Sequence, residues 1–443
     1  MNRFYNLLPQ FGKELSVSAV AATKHYKKYG RYFRTQFDYL LSSTKEQQEN
    51  RAKEELEQFL KSLKGKIPLY HIPEDLSLNG LPIIARAQVL ENYDALLLES
   101  PYKVVRTSGT TGRSLAVPYN QRVYQHEYAF WWAYRGMRNV KQGDRIATFA
   151  GHKVVYIDRK KPPFWVLNRY ENQLIFSSYH LSRENLKYYV EKLSQFKPAL
   201  IHGYPSSIYL VAKHIRENRC VLGFAPKMIM SASETLLDFQ RTAIEEAFSC
   251  KVHVWYGNTE CCGHITECDL GRLHTQPLHS AVRVVDKEGR DVAPGEEGSL
   301  VATNFTNTCF PLINYDTRDR VVLSKNQTCD CGRPGIMLDA IIGRPFDQYV
   351  LTRDGRWVGR LDHLFKNADH VSNAQLEQSK IGELVVRIER QAGYTRSIEN
   401  TIRTEAGKRL GKDTVILFDY VDEIPKDKNG KFSFVIQKLP VSL

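Results

Sequence analysis

The sequence predicts an α/β protein. It has a large N-terminal domain of layered sheets and helices, a small β-rich part within it, and a small α+β domain at the C-terminal side. Three observations lead there. Short apolar runs alternate with helical patterns through the middle of the chain. From about residue 281 the runs shorten and are separated by turns such as Asp286-Lys287-Glu288-Gly289. After Gly343, strands are predicted near 383–389 and 414–421 with a helix between them. Strand–helix alternation favours α/β layers around buried sheets. The boundary falls between 1–343 and 344–443.

In chain order, residues 45–64 are rich in Glu, Lys and Gln, with apolar residues at Leu56, Phe59, Leu60 and Leu63. That spacing makes an amphipathic helix that packs across the N-terminal region. Arg145-Ile146-Ala147-Thr148-Phe149 and Ala199-Leu200-Ile201-His202 read as strands. Between them Ser182-Arg183-Glu184-Asn185 opens a helix with a hydroxyl N-cap, running toward Phe196. Lys227-Met228-Ile229-Met230 is a further strand, followed by a helix from near Thr235 to before Cys250.

With 443 residues the chain has room for two or three domains. Its 42% hydrophobic and 25% charged content is that of an ordered globular protein. No apolar run approaches the roughly 18 residues of a membrane span, so integral membrane association is not expected. Met1-Asn2-Arg3-Phe4-Tyr5 lacks the apolar core of a signal peptide, and a cytoplasmic location is expected. The net charge of +13 suits an anionic partner, but Lys and Arg are spread along the chain. There is no basic arm or nucleic-acid reader motif, so nucleic acid is not expected as a partner. The eight cysteines are not read as a secreted disulfide framework, because thiols stay reduced in that compartment.

Thr107-Ser108-Gly109-Thr110-Thr111-Gly112 is a loop of hydroxyls and glycines. Glycine allows close backbone approach, and N–H groups and hydroxyls can wrap phosphate oxygens. No Gly-Lys-Ser/Thr follows, so it is not a Walker loop. It is followed in order by Tyr256-Gly257-Asn258-Thr259-Glu260, Tyr315-Asp316-Thr317-Arg318-Asp319, Gly343-Arg344 and Gly430-Lys431. Each motif is common alone; the order carries the reading. The set resembles the adenylate-forming superfamily of acyl-CoA synthetases and related ligases. The likeness is closer to the phenylacetate–CoA ligase family, particularly its capsular-polysaccharide (CapK-like) branch, over roughly 80–443. Leu81-Pro82-Ile83-Ile84, His202-Gly203-Tyr204-Pro205-Ser206-Ser207 and Ser231-Ala232-Ser233-Glu234 add to it.

The resemblance implies a carboxylic acid activated with ATP. Charge then builds on the phosphates, and the protein must supply donors, a magnesium ion and a mobile cation. Residues 107–112 become phosphate donors, and Glu260 the magnesium ligand, since hard oxygens suit that ion. Ser233, Glu234, Gly257, Asn258 and Thr259 line the nucleotide, Tyr256 faces the adenine and Asp319 pairs with the ribose. The family's Thr-Gly-Asp is here Thr317-Arg318-Asp319, which removes a glycine's freedom. Arg344 matches the hinge arginine; the usual Gly-Arg-x-Asp-Asp is Gly343-Arg344-Pro345-Phe346-Asp347, which leaves the pivot role of Asp347 open. Lys431, after Gly430 and before Phe432, matches the catalytic lysine of a mobile C-terminal lid; Lys426 and Lys428 are its neighbours. An ammonium there bridges carboxylate and α-phosphate.

Cys268 and His274 are followed at a distance by Cys329-Asp330-Cys331. Two thiolates close in sequence plus a Cys/His pair match a closed structural zinc site. Cys262 and His264 compete as ligands, and reduced, unligated cysteines are the other reading. Phe149-Ala150-Gly151-His152 and His202-Gly203-Tyr204-Pro205 follow predicted strands, where α/β ligand sites concentrate. Tyr204 and Ser233 are candidate walls of an acyl pocket, with ordinary core packing as the alternative. The expected partners are a small carboxylic acid and coenzyme A, or an amine acceptor in surface-polysaccharide synthesis. A non-catalytic nucleotide-binding protein is the reading from another class. The acid's identity and the oligomeric state, a homodimer included, stay open.

Overall fold

The computed structural model describes residues 3–107, 115–156, 159–343, 350–353, 357–358, 361–365, 368, 370–426 and 432–439. The chain divides into two compact units, Met1–Ile341 and Ile342–Leu443.

The first unit opens with helices α1 (Arg3–Leu7), α2 (Gln10–Lys28), α3 (Arg31–Ser42) and α4 (Lys45–Leu63), then the short α5 (Arg86–Glu91) and α6 (Tyr93–Leu96). A hairpin of β1 (Lys103–Arg106) and β2 (Ala116–Tyr119) precedes α7 (Gln121–Gly136). Strands β3 (Ile146–Ala150), β4 (Trp165–Asn168) and β5 (Gln173–Ser177) lead to α8 (Leu186–Phe196), β6 (Leu200–Gly203) and α9 (Pro205–Glu217). Then follow β7 (Met228–Ala232), α10 (Asp238–Phe248), β8 (Val252–Tyr256), β9 (Ile265–Glu267) and β10 (Leu273–Thr275). Next come β11 (Ala281–Val285), β12 (Glu297–Asn304), β13 (Leu312–Leu323) and β14 (Met337–Gly343), and the boundary between the units falls within β14.

A single 12-stranded sheet runs in the order β11-β12-β13-β14-β10-β9-β8-β7-β6-β3-β5-β4. From β8 to β5 neighbouring strands are parallel. The β8–β9 and β9–β10 pairs are antiparallel. Helix-covered parallel strands are apolar on both faces, and β6 is buried along its whole length. One face packs Ile201, Ile229 and Val252 against α8, α9 and α10 through Tyr189, Ile208 and Ile244. The other packs Leu200, Met228 and Met230 against Phe33 of α3 and Ala129, Phe130 and Trp132 of α7.

The helix at 45–64 forms as α4. Its start is fixed by a capping box between Thr44 and Gln47, and it buries Phe59, Leu60 and Leu63. The hydroxyl cap expected at Ser182 does not form. Ser182 Oγ instead donates to Glu184 Oε2 at 2.8 Å. Its carbonyl accepts from the N–H groups of Asn185 and Leu186 at 3.0 and 3.1 Å, a tight turn that delays α8 to Leu186.

The second unit holds a hairpin of β15 (Val350–Leu351) and β16 (Trp357–Val358), strands β17 (Val371–Gln378) and β18 (Glu383–Arg390), α11 (Arg396–Leu410), β19 (Val415–Val421) and β20 (Val435–Gln437). Its four-stranded sheet runs β19-β18-β17-β20. Leu376, Leu384, Val386 and Ile388 form a core with Ile402, Ala406 and Leu410 of α11.

Gly203 ends β6 at a φ of +141°, and a Cβ there would lie 1.8 Å from the Phe149 carbonyl oxygen. That oxygen accepts the Tyr204 N–H at 2.7 Å, so β3 and α9 meet with no room between them. Gly203→Ala is expected to destabilise the fold by more than about 3 kcal/mol, the range of overpacking combined with backbone strain. Urea denaturation of the variant against the parent measures this; a change below about 1 kcal/mol would contradict the close approach.

Candidate functional site

The hydroxyl-rich loop is borne on the β1–β2 hairpin, in which Arg106 faces Ala116. At its base Thr107 N–H donates to the Leu115 carbonyl at 2.9 Å. Thr107 Oγ1 accepts from Leu115 N–H at 3.0 Å and from Arg86 Nη2 at 3.3 Å. Ser108, Gly109, Thr110, Thr111 and Gly112 lie outside the described residues, as do Arg344, Asp347, Lys428 and Lys431.

The turn 257–264 connects β8 to β9 beside β13. Alternation along β13 places Tyr315, Thr317 and Asp319 on one buried face. Two of them reach the turn and the end of β8. The Tyr256 hydroxyl donates to Asp319 Oδ2 at 2.6 Å. The Tyr315 hydroxyl donates to Glu260 Oε1 at 2.9 Å. Burial, then the facing carboxylate, raises both phenols above their ordinary range, so each stays protonated and donates. Glu260 is only 5% exposed. Its carboxylate is thus held in position by Tyr315 before any ligand arrives.

The turn is closed locally. Asn258 Oδ1 accepts the Cys262 N–H at 2.9 Å, and its amide group donates to the Cys262 carbonyl. Cys261 and Gly263 take positive φ, +54° and +80°. The Tyr119 hydroxyl at the end of β2 donates to the Thr259 carbonyl. Thus the hairpin that bears the 107–112 loop is tied directly to the turn that bears Glu260. Gly257 is exposed, while Asn258 and Thr259 are half-buried.

Ser233 and Glu234 follow β7. Ser233 is exposed at a φ of +70°. Glu234 Oε2 accepts the Ser206 N–H at 3.2 Å, a carboxylate at the N-terminus of α9. Tyr204 occupies the N-cap position of α9 and is 8% exposed.

The donor atoms of Cys268, His274, Cys329 and Cys331 all lie within 4.8 Å of one another. Cys268 directly follows β9, His274 sits on β10, and the two others come from the loop before β14. Cys268 Sγ is 4.0 Å from Cys329 Sγ, and Cys331 Sγ is 3.4 Å from His274 Nε2. Zinc bonds of about 2.0–2.3 Å around a tetrahedron span edges of about 3.5–3.8 Å, close to both separations. Burial and then Arg333 push His274 down to about 4, which keeps its ring neutral. The rival ligands lie elsewhere. His264 packs against Trp255 at 4.1 Å between ring centroids. Cys262 belongs to the core around Tyr315.

Sequence reading missed Tyr315, Tyr119 and Glu267, which bond to the site or its supports. Tyr315 was the legible one: it shares the alternation of Thr317 and Asp319.

This arrangement defines a class. A solved 2-hydroxyisobutyryl-CoA ligase, in the postadenylation state with 2-HIB-AMP, superposes with a TM-score of 0.66 at 17% identity, over 90% of this chain and 91% of that one. The anthranilate CoA ligase AuaEII, in complex with anthranoyl-AMP, superposes with a TM-score of 0.51 at 16% identity, over 74% of this chain and 65% of that one. These likenesses give the fold, that of adenylate-forming CoA ligases. Residues 35–306 match the family described as AMP-binding enzyme, and residues 350–438 match the CapK C-terminal domain. The chain belongs to the AMP-binding enzyme family of the adenylate-forming superfamily and carries a CapK C-terminal domain. It is 30% identical over 371 residues to Protein CapK of Staphylococcus aureus, covering 82% of this chain and 81% of that protein. Among the described residues no helix is long and apolar enough to cross a membrane.

Proposed function

We infer that this protein activates a carboxylic acid with ATP, forming an acyl-adenylate and releasing pyrophosphate, and then passes the acyl group to coenzyme A. The observation that carries the reading is the double tie from β13: Tyr315 holds Glu260 and Tyr256 holds Asp319. The carboxylate read as magnesium-binding sits in the turn between β8 and β9 and the one read as ribose-binding on β13, and Tyr119 at the end of β2 ties the β1–β2 hairpin to that turn. Magnesium, held through Glu260, would neutralise charge on the phosphates. Asp319 accepts from ribose hydroxyls and Lys431 meets the charge developing at the α-phosphate. Coenzyme A as acceptor is supported by the CoA ligases among the solved relatives; an amine acceptor is the competing outcome. The carboxylates Glu260 and Asp319, both placed and bonded, weigh against a non-catalytic nucleotide binder. The cysteine–histidine cluster is read as a structural zinc site that pins the β9–β10 hairpin to the loop before β14.

For zinc, native protein should hold about one ion per chain, and Cys331→Ala should lower both zinc content and melting temperature, because metal binding is coupled to folding. Native protein free of zinc by metal analysis would leave the four residues as unligated thiols and imidazole.

Asp319→Ala should weaken ATP binding at least about tenfold, since hydrogen bonds to a charged group contribute roughly 1.5–3 kcal/mol. Calorimetric titration of the folded variant checks this, and an unchanged affinity would remove Asp319 from the ribose site.

Lys431→Ala should nearly abolish adenylate formation from acid and ATP while ATP binding falls little. Transfer from a supplied acyl-adenylate should survive, because the ammonium acts on the departing phosphate. The lid reading implies that the C-terminal unit brings Lys431 in for the first half-reaction and another face for the second. Equal losses in both half-reactions would sink the two-conformation reading. Full adenylation would shift the role to Lys426 or Lys428.

A further inference from the structure

Helix α7 carries a buried cation that nothing in the proposed chemistry uses. Arg135 is 2% exposed, and its Nε and Nη2 are buried without a hydrogen-bond partner. Its guanidinium lies 3.9 Å from the Trp131 ring centroid and 5.0 Å from that of Trp132. These faces stabilise a cation only in part. Glu171, the carboxylate whose field reaches Arg135, is already engaged by Lys28 at 2.5 Å and by Asn168 at 3.0 Å. Burial pushes the guanidinium down to about 9, still charged at neutral pH. An unpaired buried charge is among the costliest arrangements a fold can hold. It is explained if a ligand brings the counter-charge.

Around it, α7 and the sheet carry further aromatic and polar groups at the edge of the packed core. Glu127, Trp131 and Arg135 are four residues apart, on one face of α7. Near the start of α7, Glu127 bonds His279 at 2.5 Å and also faces Cys261 of the 257–264 turn. Arg135 lies two turns further in, roughly 12 Å along the axis, with its side chain leaning back toward Trp131 as helical side chains do. Across from α7, Trp131 meets His202 of β6 at 5.4 Å and Trp255 of β8 at 6.5 Å between ring centroids. Trp131 and Trp255 keep part of their surface open although the residues around them are buried. Beyond Trp255, His264 is 2% exposed with both ring nitrogens unpartnered. Two indole rings are therefore flanked by two buried polar groups that lack partners.

We propose that this region between α7 and strands β6–β8 receives a ring-bearing dicarboxylic acid, whose second carboxylate, away from the one activated, is bound by Arg135. The inference rests on the adenylation reading and names its substrate class. A guanidinium pairs with carboxylate through two parallel N–H···O bonds, and here the Nε and Nη2 edge is the one without partners. The indole faces fit a flat body between the two charged ends. Arg135 sets specificity and takes no part in the chemical step.

The test uses the full chain and matched acids: benzoate with terephthalate, phenylacetate with 1,4-phenylenediacetate, and hexanoate with adipate. Calorimetric binding and ATP-dependent pyrophosphate release are measured for each. The dianion of a ring-bearing pair should bind at least about tenfold tighter than its monoanion. Arg135→Leu should erase that preference, and Arg135→Lys should keep part of it. Without ligand, Arg135→Leu should melt no lower than the parent, since removing an unpaired buried charge relieves a cost. No preference for any ring-bearing dianion, a preference that persists in Arg135→Leu, or a clear drop in its melting temperature would overturn the assignment. Pyrophosphate release from monoanions without such a preference would leave adenylation standing and remove this inference. Dianion binding that depends on Arg135, with no pyrophosphate from any acid, would do the reverse.

Discussion

Glu267 lies where the parallel part of the large sheet turns antiparallel, at the end of β9 beside β8, with its side chain 8% exposed. Its Oε2 accepts the Val254 N–H at 2.9 Å and pairs with Arg241 Nη2 of α10 at 3.0 Å. Its backbone carbonyl accepts from the Tyr134 hydroxyl of α7 at 2.7 Å and from Arg138 Nη2, just past the end of α7, at 3.0 Å. One residue therefore binds β8, β9 and the helical layers on both faces of the sheet. A carboxylate this buried depends on the hydrogen bonds that replace its water, since an unsatisfied buried polar group is costly.

The candidate site inherits its geometry from that seam. Tyr256 and Ile265 are register partners across it, so the residues between them must form a compact turn. That turn bears Glu260. Its outgoing strand ends next to Cys268, and the adjacent hairpin strand bears His274. Glu260, Cys268 and His274 are thus set by three consecutive strands, β8 to β10. This gives the cluster a physical rationale at a distance from the chemistry: fixing the β9–β10 hairpin to the loop before β14 restrains the strand that follows Glu260. Ligand sites at the carboxyl ends of parallel strands are the rule in α/β sheets; here the sheet itself changes direction at that point.

The fold class was legible because its signals are local. The apolar runs of β3, β6 and β7, the amphipathic spacing of α4 and the turn at 286–289 each draw on a few neighbouring residues. The candidate site stood in the sequence as a set of motifs in order, whereas the competition among cysteines and histidines stayed open until the fold brought Cys268, His274, Cys329 and Cys331 together. What escaped were the supports. Glu267 reaches Arg241 over 26 residues and Tyr315 reaches Glu260 over 55, and no periodicity reports such a pairing. Ser182 shows the reverse error. Its hydroxyl satisfies the rule for a helix cap, but a carboxylate two residues on takes the bond first, the local competition typical of serine. Arg135 was invisible for a third reason: on a helical pattern an arginine at its position reads as solvated, and only the layers above and below α7 bury it.

Arg318 shows how a departure from a motif is absorbed. The family pattern has glycine at this position, and the backbone here does adopt the conformation glycine favours, with φ at +65°. A residue with a Cβ in the left-handed region carries a cost of about 1–2 kcal/mol. Two side-chain bonds oppose it. Asp316 Oδ1 accepts the Arg318 N–H at 2.8 Å, and Thr317 Oγ1 accepts the Asp319 N–H at 3.2 Å. Each bond of this kind contributes about 0.5–1.5 kcal/mol, enough to balance the strain. The turn therefore holds its shape with arginine in place of glycine, and Asp319 still meets the Tyr256 hydroxyl at 2.6 Å. The constraint at this position acts on the backbone, so the residue filling it can change while the carboxylate beside it keeps its place.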